Sequence, residues 1–283
     1  MGGQVSRGQG QRGFTLRNRS KESPFLLSKW YLDGVSDEGD VFIGYAATLR
    51  WRALVIHYSS ILQRQHNETT RVSTSLQKWS APAVEGTSVH WSSRPLGVDG
   101  IWNAAAQPIE LTLFESDAGS IEWRCVQPRA RCQISFGADH RLSGLGYVEH
   151  LTMSIPPWRL PIDELRWGRF LSNSDALVWI DWRGVRSVTV AFRNGDHIEN
   201  PLITDREVRL DGGRMGLRLE ESQVLREGPL VRTALSVIPG IQKLLPIRTL
   251  RTYECKWLSR ASLEEQGAQL CRGWAIHEIV RFY

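Results

Sequence analysis

Three side chains that can move protons lie within four positions of one another in the segment "SGLGYVEH", residues 143–150: Tyr147, Glu149 and His150. The Gly, Tyr and Val residues of this segment are typical of a strand that is entered through a tight turn. Side chains alternate along a strand, so Tyr147 and Glu149 share one face, ~7 Å apart, and His150 points to the other face. The segment therefore offers Glu149 as a candidate general acid, with Tyr147 and His150 as further candidate catalytic residues.

A second segment, "LRWGRFL" at residues 165–171, places Trp167 and Arg169 on one strand face together with two leucines. If this strand lies beside the first, Glu149 and Tyr147 meet Trp167 and Arg169 in an apolar enclosure. In one interpretation Glu149 is a general acid, and Trp167 and Arg169 line the substrate site. In the other, Glu149 and Arg169 form a buried ion pair that fixes strand register. The two interpretations are not exclusive.

Other polar and aromatic residues give weaker signals. His57 ends a long alternating row and Trp91 lies in "SVHWSSR"; we predict both as substrate-binding residues, with a core histidine and a loop position as the alternatives. We expect Glu278, which shares a face with apolar residues, to pair with an arginine, and Asp33 to organise the turn that follows it. No two histidines have metal-ligand spacing, and no phosphate-binding, dinucleotide or nucleophile-elbow motif is present, so we expect neither a metal nor a cofactor.

The segments that position these residues are predicted to be almost entirely β-strands. Residues 41–57 alternate with period two and predict one long strand. Hairpins are predicted around residues 117–119 and at 183–184, and only residues 258–270 are predicted to be helical. Many strands with frequent turn signals indicate an all-β sandwich or barrel. Further strands are predicted at residues 230–237, 247–257 and 272–282.

A proline-rich passage, residues 154–165, interrupts the strand rhythm near the middle of the chain. Pro156, Pro157 and Pro161 have no N–H group to donate to a strand ladder. The passage therefore predicts a connector between two halves, each of roughly barrel size.

The charge distribution restricts the partners. The chain has a formal net charge of +5, but five basic residues and only one acidic residue lie in the first 22 positions. The rest of the chain is nearly neutral, so we expect no nucleic-acid binding. We expect the Gly/Arg/Gln-rich start to be a disordered basic tail, with peripheral membrane contact as a further expectation for it. No apolar window is long enough for a membrane-spanning helix, and four cysteines without a CxxC pair fit a reducing cytoplasm.

Four segments in order carry a resemblance to a known family: "KWYLDGVSDEGDVFIGYAATL", "GLGYVEH", "LRWGRF" and "GWAIHEIVRF". Over residues 28–283 the chain resembles the carotenoid 1,2-hydratase (hydroxyneurosporene synthase) and AttH-like superfamily of tandem lipocalin-like proteins. The family's Gly-Tyr-x-Asp-His segment implies that the acid is Glu149, flanked by Tyr147 and His150. Glu replaces the family's Asp here, and "LTM" replaces the Asn-Trp-Gly that often follows the histidine. The "WGRF" match supports Trp167 and Arg169 as lining or structural residues.

The resemblance implies an all-β fold of two lipocalin-like (calycin) antiparallel β-barrels packed together around an elongated apolar cavity. We predict a basic tail at residues 1–23, one barrel at 24–152, a connector at 153–162 and a second barrel at 163–283. The expected function is a cofactor-independent hydratase (hydro-lyase) or cyclase that protonates an apolar unsaturated substrate, isoprenoid or polyketide-like. A non-catalytic lipid or pigment carrier and a pericyclase remain alternatives.

Overall fold

The computed structural model of the chain describes residues 25–66, 68–137, 140–233 and 246–283. Within these residues the first half of the chain forms one antiparallel sheet in the order β4-β3-β2-β1-β10-β9-β7-β6-β5, with β8 paired to β9. Its strands are β1 (Phe25–Val35), β2 (Val41–Trp51), β3 (Leu54–Arg64), β4 (Arg71–Ser75), β5 (Ala83–Glu85), β6 (Ser88–Ser93), β7 (Val98–Ala104), β8 (Ile109–Ser116), β9 (Gly119–Phe136) and β10 (His140–Met153).

The second half forms another antiparallel sheet in the order β14-β13-β12-β11-β19-β18-β17-β16-β15. Its strands are β11 (Glu164–Leu171), β12 (Ala176–Arg183), β13 (Val188–Arg193), β14 (Asp196–Ile198), β15 (Leu202–Ile203), β16 (Glu207–Leu210), β17 (Met215–Pro229), β18 (Tyr253–Glu265) and β19 (Ala268–Arg281). The described helices are short: α1 (Leu230–Thr233), α2 (Ile247–Leu250) and single 3₁₀ turns at Arg94–Leu96, Pro157–Arg159 and Asp211–Gly213.

The first sheet is strongly curled, as one contact shows. Five inter-strand steps lie between β2 and β6, which is ~24 Å in a flat sheet. Nevertheless a Cβ added at Gly44 of β2 would lie 2.5 Å from a ring carbon of Trp91 on β6. Glycine at position 44 therefore allows the Trp91 ring to close the inside of the sheet. The sequence prediction of two lipocalin-like antiparallel sheets is confirmed.

Alternate side chains along each strand belong to two different hydrophobic clusters, one between the sheets and one inside each sheet. Odd-numbered residues of β1 and β10 point outward to the second sheet, and even-numbered residues point into the curl of their own sheet. The outward faces of the two sheets pack together in one cluster that includes Tyr31, Tyr147, Trp167, Val178 and Ile276. Each sheet also encloses a cluster of its own. The candidate site residues on the outward faces therefore lie in the interface between the sheets.

The Pro-rich passage connects the two sheets. The first sheet ends at Met153 and the second begins at Glu164, with a 3₁₀ turn between them at Pro157–Arg159. The finer division into two domains with a connector at 153–162 stays a prediction.

The prediction of one long strand over residues 41–57 is wrong. The chain turns back after Trp51, and Leu54 pairs with Trp51 to begin β3. Arg52 carries the turn with a φ of 55°, a left-handed conformation that Gly or Asn adopts more readily. The sequence "WRAL" contains neither, so it gave no turn signal. His57 consequently lies on a different strand from the row that it was predicted to end.

The prediction of a helix over residues 258–270 is also wrong. These residues form the end of β18, a turn at Gln266 and Gly267, and the start of β19. Leu, Ala, Glu and Gln favour helices, but pairing with both neighbouring strands and burial of Ala261 and Leu263 stabilise the strand instead. Both turn residues have positive φ, 50° and 83°, as a two-residue hairpin turn requires.

Two predicted strands are partly replaced by helix. Residues 230–233 form α1, and residues 247–250 form α2 before β18 begins at Tyr253. The remainder of the strand predicted at 230–237 lies outside the described residues, as does the predicted basic tail. Among the described residues no helix is long and apolar enough to cross a membrane, and the four cysteines are free thiols.

Candidate active site

Glu149 lies in the interface between the two sheets, and only 6% of its surface is exposed. Its Oε2 atom accepts two hydrogen bonds, from the Tyr147 hydroxyl and from the Trp123 indole Nε1, both at 2.7 Å. Two neutral donors therefore hold one oxygen of the carboxyl group in a fixed position.

Strand register explains this arrangement. Tyr147 and Glu149 are two positions apart on β10 and share its outward face, as the sequence predicts. Cys125 of β9 lies directly opposite Glu149, and Trp123, two positions before Cys125 in the chain, lies on the same face of β9. Tyr31 of β1 pairs with Glu149 on the other side. Sequence reasoning missed Trp123, although its alternating position in the hairpin strand was a usable signal.

Aromatic rings enclose this acid from both sheets. The Trp167 ring of β11 meets Tyr31 and Tyr147 edge to face, with ring centroids 5.1 and 5.7 Å apart. Phe192 of β13 lies 6.1 Å from the Trp123 ring. Burial raises the pKa of Tyr147 well above its usual value, and the neighbouring Cys125 and Glu149 groups act in the same direction. Tyr147 is therefore a neutral hydrogen-bond donor at ordinary pH.

Arg169 does not pair with Glu149, which corrects one of the two interpretations of the sequence. Its guanidinium donates from Nε and Nη2 to the two carboxylate oxygens of Asp33, at 3.0 and 2.9 Å, and both side chains are fully buried. The Tyr31 hydroxyl also donates to Asp33 at 3.0 Å. Burial raises the pKa of Asp33, and Arg169 acts in the opposite direction. Asp33 therefore joins the two sheets instead of organising the turn after β1.

Glu278 has a different partner from the one predicted. It forms an ion pair with Lys256 of β18, not with an arginine. The Lys256 ammonium also lies over the rings of Trp167 and Tyr31, 4.9 and 5.3 Å from their centroids. Lys256 is thus held by a carboxylate and by two aromatic faces of the interface.

Glu149 differs from the other buried acids in its partners. Among the residues that the structure describes, the remaining buried carboxylates each contact an arginine at 2.7–2.9 Å, whereas Glu149 has no cationic partner. The paired acids are Asp33 with Arg169, Asp175 with Arg193, Asp181 with Arg183, and Glu254 with Arg226. In the part of the chain that the structure describes, Glu149 is therefore held by neutral hydrogen-bond donors and by no ion pair.

The structure does not bring His150 to the carboxyl group of Glu149. His150 points into the curl of the first sheet, as strand alternation predicts, where it stacks on Trp30 with centroids 4.5 Å apart. Ser28 Oγ lies 2.8 Å from its Nε2. Burial and the nearby Arg124 lower the pKa of His150. His150 belongs to the other side of β10 from the acid.

The two remaining predicted substrate-binding residues also lie elsewhere. His57 is half-buried on β3 and lies within hydrogen-bond distance of Thr48, 3.2 Å from it. Trp91 is buried inside the first sheet against Gly44 and does not face the second sheet. Trp167, in contrast, lines the enclosure around Tyr147. Arg169 lies two positions further along β11, on the same strand face.

No group of His, Cys, Asp and Glu side chains in the described part of the chain could hold a metal ion. The candidate site therefore consists of one buried acid, its two neutral donors, and aromatic walls.

Fold and site together define a class: two curled, lipocalin-like antiparallel sheets with a polar and aromatic interface. No family model and no curated protein matches the chain. Several solved structures, in contrast, have a similar fold. CghA has a TM-score of 0.57 and 12% sequence identity, over 92% of this chain and 89% of that chain. A putative AttH from Nitrosomonas europaea has a TM-score of 0.54 and 9% identity, over 94% and 98%.

Kievitone hydratase from Nectria haematococca has a TM-score of 0.50 and 11% identity, over 90% of this chain and 88% of that chain. These similarities extend over nearly the whole chain in each case. The fold that the sequence resemblance implied, that of the AttH-like tandem lipocalin proteins, is therefore confirmed.

Proposed function

We propose that this protein is a cofactor-independent enzyme that protonates an apolar unsaturated substrate, isoprenoid or polyketide-like, with Glu149 as the proton donor. The proposal rests on one observation: Glu149 is a buried interface acid that two neutral donors hold and that no cation contacts among the described residues. Water that attacks the resulting cation gives hydration, and an internal alkene or hydroxyl gives cyclisation.

The hydrogen bonds of Glu149 suit proton transfer. Both donors are directed at Oε2, so the proton of the neutral acid belongs on Oε1. After Oε1 gives up the proton, the same two hydrogen bonds stabilise the carboxylate that remains. Tyr147 and Trp123 are thus positioned to stabilise the Glu149 carboxylate that forms when the substrate is protonated.

The walls of the site suit a cationic intermediate. Aromatic faces attract cations, and this attraction strengthens where water is excluded. Tyr31 and Trp167 already hold the Lys256 ammonium near their faces, so Tyr147, Trp123 and Phe192 are the rings that we propose for a substrate cation. The Trp167 Nε1 atom is buried without a hydrogen-bond partner and can donate to an oxygen of the substrate.

An opening between the sheets supports access to this interface. A pocket of ≈ 180 Å³ at the edge of the interface is lined by residues of both sheets, including Val35 and Leu145 of the first and Arg169, Leu171 and Trp274 of the second. Leu145 lies two positions before Tyr147 on the same face of β10. Glu149 does not line this pocket. We propose that a substrate enters at this edge and reaches the acid along β10.

The comparisons support the proposal at the level of the fold. One structurally similar protein is, by its name, a hydratase of kievitone. A hydratase built on this fold shows that the architecture is compatible with addition of water to an organic molecule.

The proposal is tested by incubating the protein in heavy water with a panel of isoprenoid and polyketide polyenes and analysing the products by mass spectrometry. Hydration is expected to add water and one carbon-bound deuterium, and cyclisation is expected to give an isomer with one carbon-bound deuterium. An isomer without deuterium would identify a pericyclase. Recovery of bound but unchanged compounds from the panel would identify a carrier, and either of these last results would contradict acid catalysis.

A further inference from the structure

The second sheet has a cavity of its own, separate from Glu149. It has a volume of ≈ 320 Å³, and its lining includes Ser222, Tyr253, Trp257, His277 and Ile279. His277 and Glu278 are adjacent on β19 and therefore point to opposite sides of the second sheet. The cavity faces the inside of that sheet, whereas Glu149 faces the interface between the sheets.

A chain of three hydrogen-bonding groups ends at this cavity. His277 Nε2 lies 2.8 Å from Ser259 Oγ, and Ser259 Oγ lies 2.7 Å from Ser222 Oγ. Ser259 is fully buried and His277 is 7% exposed, while Ser222 is exposed at the cavity. Ser222 is therefore the end of the chain that a ligand can reach.

A β-bulge in β17 places Ser222 there. Glu221 and Ser222 together lie opposite Ser259 alone, because the register shifts between Glu220 and Gln223. Glu221 has a φ of 46°, a left-handed conformation that is unfavourable for a non-glycine residue. The local backbone thus adopts an unfavourable conformation at the residue that precedes Ser222.

The hydrogen-bond chain is uncharged and can run in either direction. Burial lowers the pKa of His277 to about 4, and the nearby Lys256 acts in the same direction, against Asp205 and Glu278. If the neutral imidazole accepts at Nε2, Ser259 donates to it and Ser222 can accept from a ligand. If Nε2 carries the proton, Ser222 can donate. Such a terminus suits a hydroxyl group, which both donates and accepts.

The rest of the cavity suits a flat ring. The Trp257 ring stacks on His277 with centroids 5.2 Å apart, and Ile279 adds an aliphatic surface. Three charged groups at the rim are already engaged: Asp205 with Arg166, Arg281 with Glu164, and Glu227 with the Tyr253 hydroxyl. The rim therefore gives little preference for a charged ligand, apart from the exposed Arg206.

From these observations we infer that the inside of the second sheet is a second ligand site, which binds a small uncharged aromatic alcohol through Ser222 and Trp257. The site is independent of the proposed reaction at Glu149.

The test uses fluorine NMR to measure binding of a fluorinated naphthol, with the matching fluorinated naphthoate and fluoronaphthalene as comparison ligands. The naphthol is expected to bind more tightly than both, because the naphthalene lacks the hydroxyl and the naphthoate carries a charge. Ser222→Ala is expected to weaken naphthol binding roughly five- to tenfold. Ser143→Ala, an exposed serine of the first sheet, and Glu149→Gln are expected to leave it unchanged.

Three results would overturn the inference. One is undetectable naphthol binding up to its solubility limit. Another is binding that Ser222→Ala leaves unchanged, or that Glu149→Gln weakens, since the ligand would then lie elsewhere. The third is tighter binding of the naphthoate, which would show that Arg206 and a charge determine recognition.

Discussion

Arg169 and Asp33 lie 136 positions apart in the chain and form a two-bond ion pair across the interface between the sheets. Neither side chain has solvent exposure. Two parallel hydrogen bonds between a guanidinium and a carboxylate fix the direction of both groups. The pair therefore sets how β1 of the first sheet faces β11 of the second, and it leaves Glu149 free of an arginine.

Loss of one partner of this pair should be strongly destabilising. We expect Arg169→Met to lower the free energy of unfolding by ~3–5 kcal/mol, because it leaves the buried Asp33 carboxylate without its cationic partner. Urea unfolding measures the change.

A double variant distinguishes loss of the ion pair from loss of side-chain packing. Asp33→Asn combined with Arg169→Met should recover a large part of the loss, since no buried charge remains. Arg71→Ala, which breaks an exposed pair with Glu68, should change stability by only ~0.5 kcal/mol. An effect of Arg169→Met as small as that of Arg71→Ala would contradict the role assigned to this pair.

Much of the fold follows from the sequence because strand alternation is a local pattern. Period-two alternation correctly placed Tyr147 with Glu149, Trp167 with Arg169, and His150 on the opposite face. The hairpin around 117–119 is also confirmed, and the one predicted to turn at 183–184 is present with its loop at residues 184–187. In each case the signal lies within a few residues of the feature.

The failures involve tertiary partners. Nothing near Asp33 in the sequence indicates that its partner is Arg169, because a curled sheet and a second sheet bring them together. Alternation also cannot distinguish the inside of a sheet from its outward face, so the sequence does not show that Trp91 points inward, away from the second sheet. The residue types at 258–270 favour a helix locally, but pairing with β17 stabilises a strand there instead.

Trp123 and Tyr147 should act as positioning residues for Glu149. We expect Trp123→Phe and Tyr147→Phe each to lower turnover roughly tenfold with little change in KM, because each removes one donor to Oε2 while keeping the ring. Trp182→Phe is a matched control, since the buried Trp182 Nε1 has no hydrogen-bond partner. Equal effects of Trp123→Phe and Trp182→Phe on turnover would exclude a positioning role for the Trp123 N–H group.

His277 should make stability depend on pH in a defined window. Its folded pKa of about 4 lies below the 6.5 of an unperturbed histidine. The unfolded chain therefore takes up the proton first as the pH falls. The contribution of His277 to the free energy of unfolding is therefore complete above pH ~6.5. It declines toward pH ~4, by at most ~3 kcal/mol.

Comparison with His277→Gln isolates this contribution from that of other groups. The glutamine can still hydrogen-bond Ser259 but does not titrate, so we expect the variant to lose less stability than the wild-type protein between pH 7 and pH 5. Parallel stability curves for the wild-type protein and His277→Gln would show that His277 titrates normally.

The most direct test of acid catalysis by Glu149 is the rate at which Glu149→Gln forms carbon-bound deuterium in heavy water from the substrate that the panel identifies. The amide keeps the shape of the carboxyl group but has no acidic proton to deliver. If Glu149 is the proton donor, the rate should be at least ~100-fold below that of the wild-type protein, with ligand binding retained and a melting temperature within a few degrees. A stably folded Glu149→Gln protein that incorporates deuterium at the wild-type rate would contradict acid catalysis by Glu149.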